Sequence, residues 1–304
     1  MKRTHLRLSA FIPAMLLACP LSPAAPKVVR EGADEAMHLD GLADPNRWGP
    51  SECMVSASKD LKAGGRPTLH MHIPVDHKGG EANYPIGWPR AYLKLADDEK
   101  HWGDFERFEF LLHATMTRPT PPRKALNLQI ICPDRPRTTQ RNLEELRLGQ
   151  WVKVSVPIRE IANVGETARL GLNISESDYR HGEQLDFRLG AFRLARAAEF
   201  GLAELAVLSR VLYADRAILK LRLDAVGPTG EVGKGLPLAV RGGGKTLHEQ
   251  TVPVQRGRQT VTIDLTAAKL PPGTYEAVAF PGEKARQRAA AFRIVESPWQ
   301  EAAK

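Results

Sequence analysis

Aromatic residues make up only 6% of the 304 positions, and cysteines number three. No CxxC pair occurs and no histidines fall at zinc-finger spacing, which excludes the common structural zinc sites. Helical periodicity is nowhere sustained beyond the N-terminus, so an α-helical bundle is excluded. After that N-terminus no apolar run of membrane-spanning length appears, so no integral membrane segment is expected. The formal charge of +8 would suit an anionic partner, yet the 43 Lys and Arg residues form no block of like charge. No helix-turn-helix or RNP pattern accompanies them, and nucleic acid is not an expected partner. What remains, 42% hydrophobic and 26% charged, is the balance of a folded soluble chain long enough for two cores.

The N-terminus reads as an export signal over residues 1–25. "MKRTHLR" is a basic start and "LSAFIPAMLLA" (Leu8–Ala18) an apolar core too short to stay in a bilayer. Two processing routes fit. "LLAC" (Leu16–Cys19) resembles a lipobox, whose Cys19 would carry a lipid anchor, while "SPAA" (Ser22–Ala25) suits a soluble-type signal peptidase. Either route makes the protein extracytoplasmic: periplasmic, on the cell surface or secreted. Cys53 and Cys132 would then remain, and the sequence leaves a disulfide bridge and two buried thiols equally open.

Beyond residue 48 the pattern has period two. "TLHMHIPV" sets Leu69, Met71 and Ile73 against His70 and His72; "ALNLQIIC" sets Leu126, Leu128 and Ile130 against Asn127 and Gln129; "WVKVSVPI" alternates on Val152, Val154 and Val156. Such runs are half-buried antiparallel strands, and their spacing predicts two packed sheets of jelly-roll type over residues 48–196. Residues 26–47 read as an N-terminal extension. Alternation lapses over "LARAAEFGLAEL", which places a linker at 197–205. Strand patterns joined by Gly-rich turns resume over 206–296 and predict an immunoglobulin-like β-sandwich, followed by a tail at 297–304. The fold class expected is all-β.

Four stretches carry a resemblance: "VDHKGGEANYPIGWPRAYLKL" (Val75–Leu95), "WGDFERFEFLLHAT" (Trp102–Thr115), "LRLGQWVKVSVPIREI" (Leu146–Ile161) and "LGLNISESDYRHGEQLDFRLGAFRL" (Leu170–Leu194). Their running order resembles the N-terminal carbohydrate-binding-type module of multidomain bacterial glycoside hydrolases, a galactose-binding-like jelly roll commonly followed by an Ig-like module. The resemblance implies a non-catalytic module that binds a polysaccharide or glycan, an acidic one fitting the positive charge. It also implies alternatives: a stand-alone lyase or hydrolase on the jelly roll, or a structural spacer or front fragment of a split hydrolase, since no catalytic barrel of roughly 250 residues follows. In many such modules an acidic pair on the closing strand ligates calcium. Here Phe187, Arg188, Leu189, Gly190 and Ala191 occupy that run, so neither metal nor cofactor is expected.

The turn "NYPIGWPRAYLKL" concentrates the scarce aromatics. Pro85 and Pro89 fix two φ angles, Gly87 permits a close bend, and Tyr84 and Trp88, each preceding a proline, are held extended. Two readings stay open. Trp88 plugs the end of the sandwich while Arg90 pairs with Asp76 or Asp178, or the aromatic faces stack on sugar. The expected binding surface comprises Tyr84, Trp88, Arg90 and Tyr92 with Glu176, Asp178, Tyr179, Arg180 and His181 of the "ESDYRH" loop; Trp88 is expected to be mainly structural. No catalytic residue is expected. Glycosidases need two carboxylates roughly 5–10 Å apart, and Glu106 with Glu109, or Glu176 with Asp178, read as solvated strand-edge or loop groups. A lyase would draw on Tyr84, Arg90, Tyr179, Arg180 and His181 as base, acid and neutralising cation. His70 and His72, followed by Asp76 and His77, read as a solvent-facing strand side rather than a metal site, because Pro74 interrupts the strand.

Overall fold

The computed structural model describes residues 27–58, 60–79, 86–100, 102–132 and 137–299. The export signal, Cys19 and Tyr84 lie outside the described residues. Among those described, no helix is long and apolar enough to cross a membrane.

Twelve strands surround the first core: β1 (Val28–Glu31), β2 (Asp34–His38), β3 (Trp48–Ser51), β4 (Met54–Ala57), β5 (Thr68–Pro74), β6 (Arg90–Lys94), β7 (Arg107–Met116), β8 (Asn127–Cys132), β9 (Arg137–Asn142), β10 (Trp151–Pro157), β11 (Arg169–Asn173) and β12 (Gln184–Ala197). They form two sheets. In one, β12 is the trunk, pairing with β2 and β5 along one edge and with β7 along the other; β1, β4 and β10 lie outside these. The other sheet has the order β3-β6-β11-β8-β9. All the strand pairings in both sheets are antiparallel. The protein is all-β in class, with two-layered packing. Leu69, Met71 and Ile73 of β5 are fully buried, as period two requires of an inward face.

Phase is reset once in β12. Leu185, Phe187 and Leu189 point inward before a bulge between Gly190 and Arg193, and Phe192 within it and Leu194 after it do so too. The extra residue there lets even positions take over the buried face from odd ones. Ala191 carries φ +51° at that bulge. Gly190 beside it admits no side chain, since a Cβ would stand 2.7 Å from the Pro67 carbonyl oxygen. Phe192 thereby joins Phe108 and Phe110, with ring centroids at 6.3 and 5.5 Å, while Trp102 packs on Phe108 at 4.6 Å.

Two expectations need correction. Residues 26–47 are no mere extension: β1 pairs with β2, β2 pairs with β12, and Met37, Leu39 and Leu42 enter the first core. Nor do 197–205 form a linker. β12 runs to Ala197, and β13 (Gly201–Val207) starts at once, paired with a second-core strand, β15. One carboxylate at this junction, Glu106, accepts the N–H groups of Ala197 and Gly227 at 3.1 and 2.6 Å.

The second core lies between two sheets formed by β13, β14 (Val211–Tyr213), β15 (Ile218–Val226), β16 (Leu236–Gly242), β17 (Lys245–Val252), β18 (Gly257–Asp264), β19 (Gly273–Ala279) and β20 (Arg288–Val295). Their orders are β13-β15-β18 and β14-β20-β19-β16-β17. The turn joining β16 to β17 is exposed at Gly243 and Gly244, both with positive φ. Because residues 194–197 and 201–205 are held in sheets and Gly243 and Gly244 are not, limited trypsin digestion is expected to cut first at Lys245, beside that turn. Mass spectrometry showing first cuts at Arg193 or Arg196 would contradict that order.

Cys53 and Cys132 are not joined. The Cys53 thiol donates to the Arg90 carbonyl at 3.3 Å and is pushed up in pKa by burial, while Cys132 donates to the carbonyls of Ala162 and Asn163.

Candidate binding cleft

The outer face of the β3-β6-β11-β8-β9 sheet carries a row of polar side chains beneath a cleft. Its register aligns Arg90, Asn173, Asn127 and Asn142 in one row and Tyr92, Gly171, Gln129 and Gln140 in the next. Their neighbours Ala91, Leu93, Leu170, Leu172, Leu128 and Ile130 point into the core. Carboxamides on three adjacent strands thus make a floor. Over it opens a cleft of about 500 Å³, bounded by Trp88 on one side and by Lys124, Ser175 and Asp178 on others.

Trp88 is 49% exposed, so it does not plug the sandwich. Two carboxylates set its position. Glu52 accepts the Trp88 N–H at 2.6 Å, and Glu176 accepts the Gly87 N–H at 2.8 Å and the Asp76 N–H at 3.1 Å. Both press so closely on Gly87 that a Cβ there would meet Glu52 Oε2 at 2.6 Å and Glu176 Oε2 at 2.9 Å. A glycine is therefore required by close approach as well as by the bend. Arg90 donates to the Trp88 carbonyl at 3.3 Å, with its guanidinium 6.0 Å from the indole centroid, and not to Asp76 or Asp178 as one of the two open readings has it.

The indole N–H, which can only donate, bonds Asn173 Oδ1 at 3.0 Å. That fixes the Asn173 amide with its NH₂ turned the other way. Asn173 is buried, and its Nδ2 finds no partner among the described residues; neither does Asn127 Oδ1, whose own NH₂ is spent on Asn142 Oδ1 at 3.1 Å. A buried donor and a buried acceptor on register-paired residues thus stand unpaired at the cleft floor. Groups of this kind cost about 1–3 kcal/mol each unless a ligand or water completes them. Alongside, the Tyr92 ring lies across Gly171, where a Cβ would come within 2.6 Å of it.

The "ESDYRH" loop divides. Asp178 lines the cleft. Glu176 is buried and spent on backbone N–H groups, and Tyr179 is buried, its phenol donating to the Ala125 carbonyl and its pKa raised by desolvation. Neither is available to ligand, which corrects their placing on the binding surface and removes Tyr179 as the base of a lyase. Arg180 and His181 sit apart from the cleft: the Arg180 N–H bonds Glu183, and His181 Nδ1 accepts the His77 N–H at 3.2 Å. The other carboxylate pair is structural too. Glu109, read as solvated, is buried among Arg107, Lys153 and Arg193, and Glu106 holds the junction described above. Sequence reasoning missed Glu52, Lys124, Asn127, Gln140, Asn142 and Asn173. The available signal was an amide at outward positions of "ALNLQIIC" and "RLGLNIS".

No family model matches the sequence, and no curated protein matches it. Among solved structures, the chain is similar to a β-1,2-glucanase from Parabacteroides distasonis at 12% identity and a TM-score of 0.36, covering 88% of this chain and 38% of that one. It is similar to an exo-β-agarase at 7% identity and a TM-score of 0.36, covering 50% of this chain and 24% of that one. A mannan-recognising carbohydrate-binding module gives 10% identity and a TM-score of 0.29, with 56% of this chain and 96% of the module covered. This chain therefore spans well under half the length of the glucanase and the agarase. Likeness at these levels carries no ligand or activity across to it.

Proposed function

We propose that the chain is an exported, non-catalytic glycan-binding protein, that the cleft over the carboxamide floor is its binding site, and that the second sandwich is an Ig-like companion module. The reading rests above all on the unpaired Asn173 donor and Asn127 acceptor beside an exposed indole. A sugar hydroxyl both donates and accepts, and so completes two such groups at once, while the flat C–H face of a pyranose covers an aromatic ring. Neutral amides outnumber charges in the lining, which favours a neutral glycan over a uronate polymer.

A glycan-array screen followed by calorimetry tests this. Wild-type protein is expected to bind a neutral oligosaccharide, and Asn173→Ala to lose at least about tenfold in affinity, since truncating a buried hydrogen-bonding group at an interface core costs about 1–3 kcal/mol. Absence of any glycan ligand, or an Asn173→Ala variant that binds as well as wild type, would overturn the assignment. Preferential binding of acidic glycans would reject neutrality alone.

A further inference from the structure

On the opposite sheet, away from the cleft, two histidines and an aspartate converge. We propose that His70, His72 and Asp186 form a binding site for a divalent first-row transition metal of the imidazole-preferring class, Zn²⁺ or Cu²⁺. The proposal is independent of the glycan reading.

Alternation along β5 buries Leu69, Met71 and Ile73, and so turns His70 and His72 to the outer face. Asp186 on β12 is the register partner of His72. One oxygen, Asp186 Oδ1, lies 2.7 Å from His70 Nε2 and 2.9 Å from His72 Nδ1. The three ligand atoms lie within 4.8 Å of one another. Tetrahedral zinc with ligands at about 2.0–2.1 Å sets those atoms roughly 3.4 Å apart, so the two short contacts must open by roughly 0.5–0.7 Å to admit an ion, a rotamer adjustment. Two imidazoles and one carboxylate suit zinc or copper, whereas calcium and magnesium require more oxygen ligands.

Without an ion, each ring donates an N–H to Asp186. Ligation requires the other tautomer, in which the His70 Nδ1–H faces the Ser56 hydroxyl 3.5 Å away, the kind of outer bond that orients a ligating ring. Arg188, the outward residue next along β12, reaches toward Thr115 of β7 and so away from β5. The three side chains retain 22–27% of their exposure, so an ion can enter and keep a position open for water. They also sit on β5 and β12, paired strands in the interior of the sheet, so the ligands are preorganised. The sequence reading sets a metal site aside because Pro74 separates these histidines from Asp76; Asp76 in fact faces His181 in a separate group, where His181 Nδ1 is already engaged by the His77 N–H.

The test is calorimetric titration of the chelator-treated full chain with Zn²⁺, and separately with Cu²⁺. A single equivalent is expected to bind, with His72→Ala and Asp186→Asn each weakening it at least about tenfold, and His181→Ala leaving it unchanged. Imidazole NMR of the wild-type chain guards against misfolded variants: the His70 and His72 ring signals are expected to shift and saturate at one equivalent. No uptake of either ion, uptake indifferent to His72 and Asp186, or shifts confined to His77 and His181 would each overturn the site.

Discussion

Glu109→Ala is expected to destabilise the protein by about 2–4 kcal/mol, read as a lowered midpoint in urea unfolding. The carboxylate is 2% exposed and holds Arg193 at 2.7 Å, Lys153 at 2.9 Å and Arg107 at 3.1 Å, across β10, β7 and β12. Removing the anion leaves three cations gathered without their centre; breaking a buried pair in this way costs about 3–5 kcal/mol, and the partly exposed cation heads recover some of that. The effect is pH-dependent, and its sign follows from the carboxyl. Burial alone would raise its pKa, but bonds to Lys153 and Arg193 hold it below the ordinary 4.5. A depressed carboxyl contributes stability above its unfolded pKa and loses it as pH falls through the folded value. The gap between wild type and variant should therefore be full at about pH 7 and shrink at about pH 3. A gap that grew on acidification would refute the ion-pair account.

Trp88→Ala separates two roles. A tryptophan plugging a sandwich would cost about 3–5 kcal/mol of stability on truncation. At 49% exposure, with one hydrogen bond to Asn173, Trp88 is expected to cost only about 1 kcal/mol. Glycan affinity is expected to fall by at least about tenfold, as for an aromatic anchor at the centre of an interface. Unfolding of the variant would restore the plug; a folded variant with undiminished affinity would remove the indole from the binding site.

Strands with one wet and one dry face were legible, which is why β5, β8 and β10 stand where alternation puts them. β13 was not, because six of its seven residues stay at least partly exposed and apolar positions gain no period. β1 and β2 were missed for another reason: four or five residues carry too short a pattern, and only pairing with β12 gives them a place. The site divided along the same line. Trp88 could be singled out because prolines and a glycine crowd one stretch of chain. Asn127, Asn142 and Asn173 are ordinary outward residues in sequence, and they become a floor only through the pairing of β9, β8 and β11. His70 and His72 were visible as a pair, but the carboxylate between them is supplied by β12, more than a hundred residues along the chain.

Glu52 and Glu176 fasten adjacent N–H groups of the Gly87–Trp88 backbone, and Glu176 also holds the loop at Asp76. On the glycan-binding reading proposed above, the indole wall is built before a ligand arrives, so association has no closure of the described backbone to wait for. Encounter frequency and the shedding of water would then set its pace. Little freedom of the Gly87–Trp88 backbone would be surrendered, and the energy released in the cleft would be kept as residence time instead of being spent on ordering it.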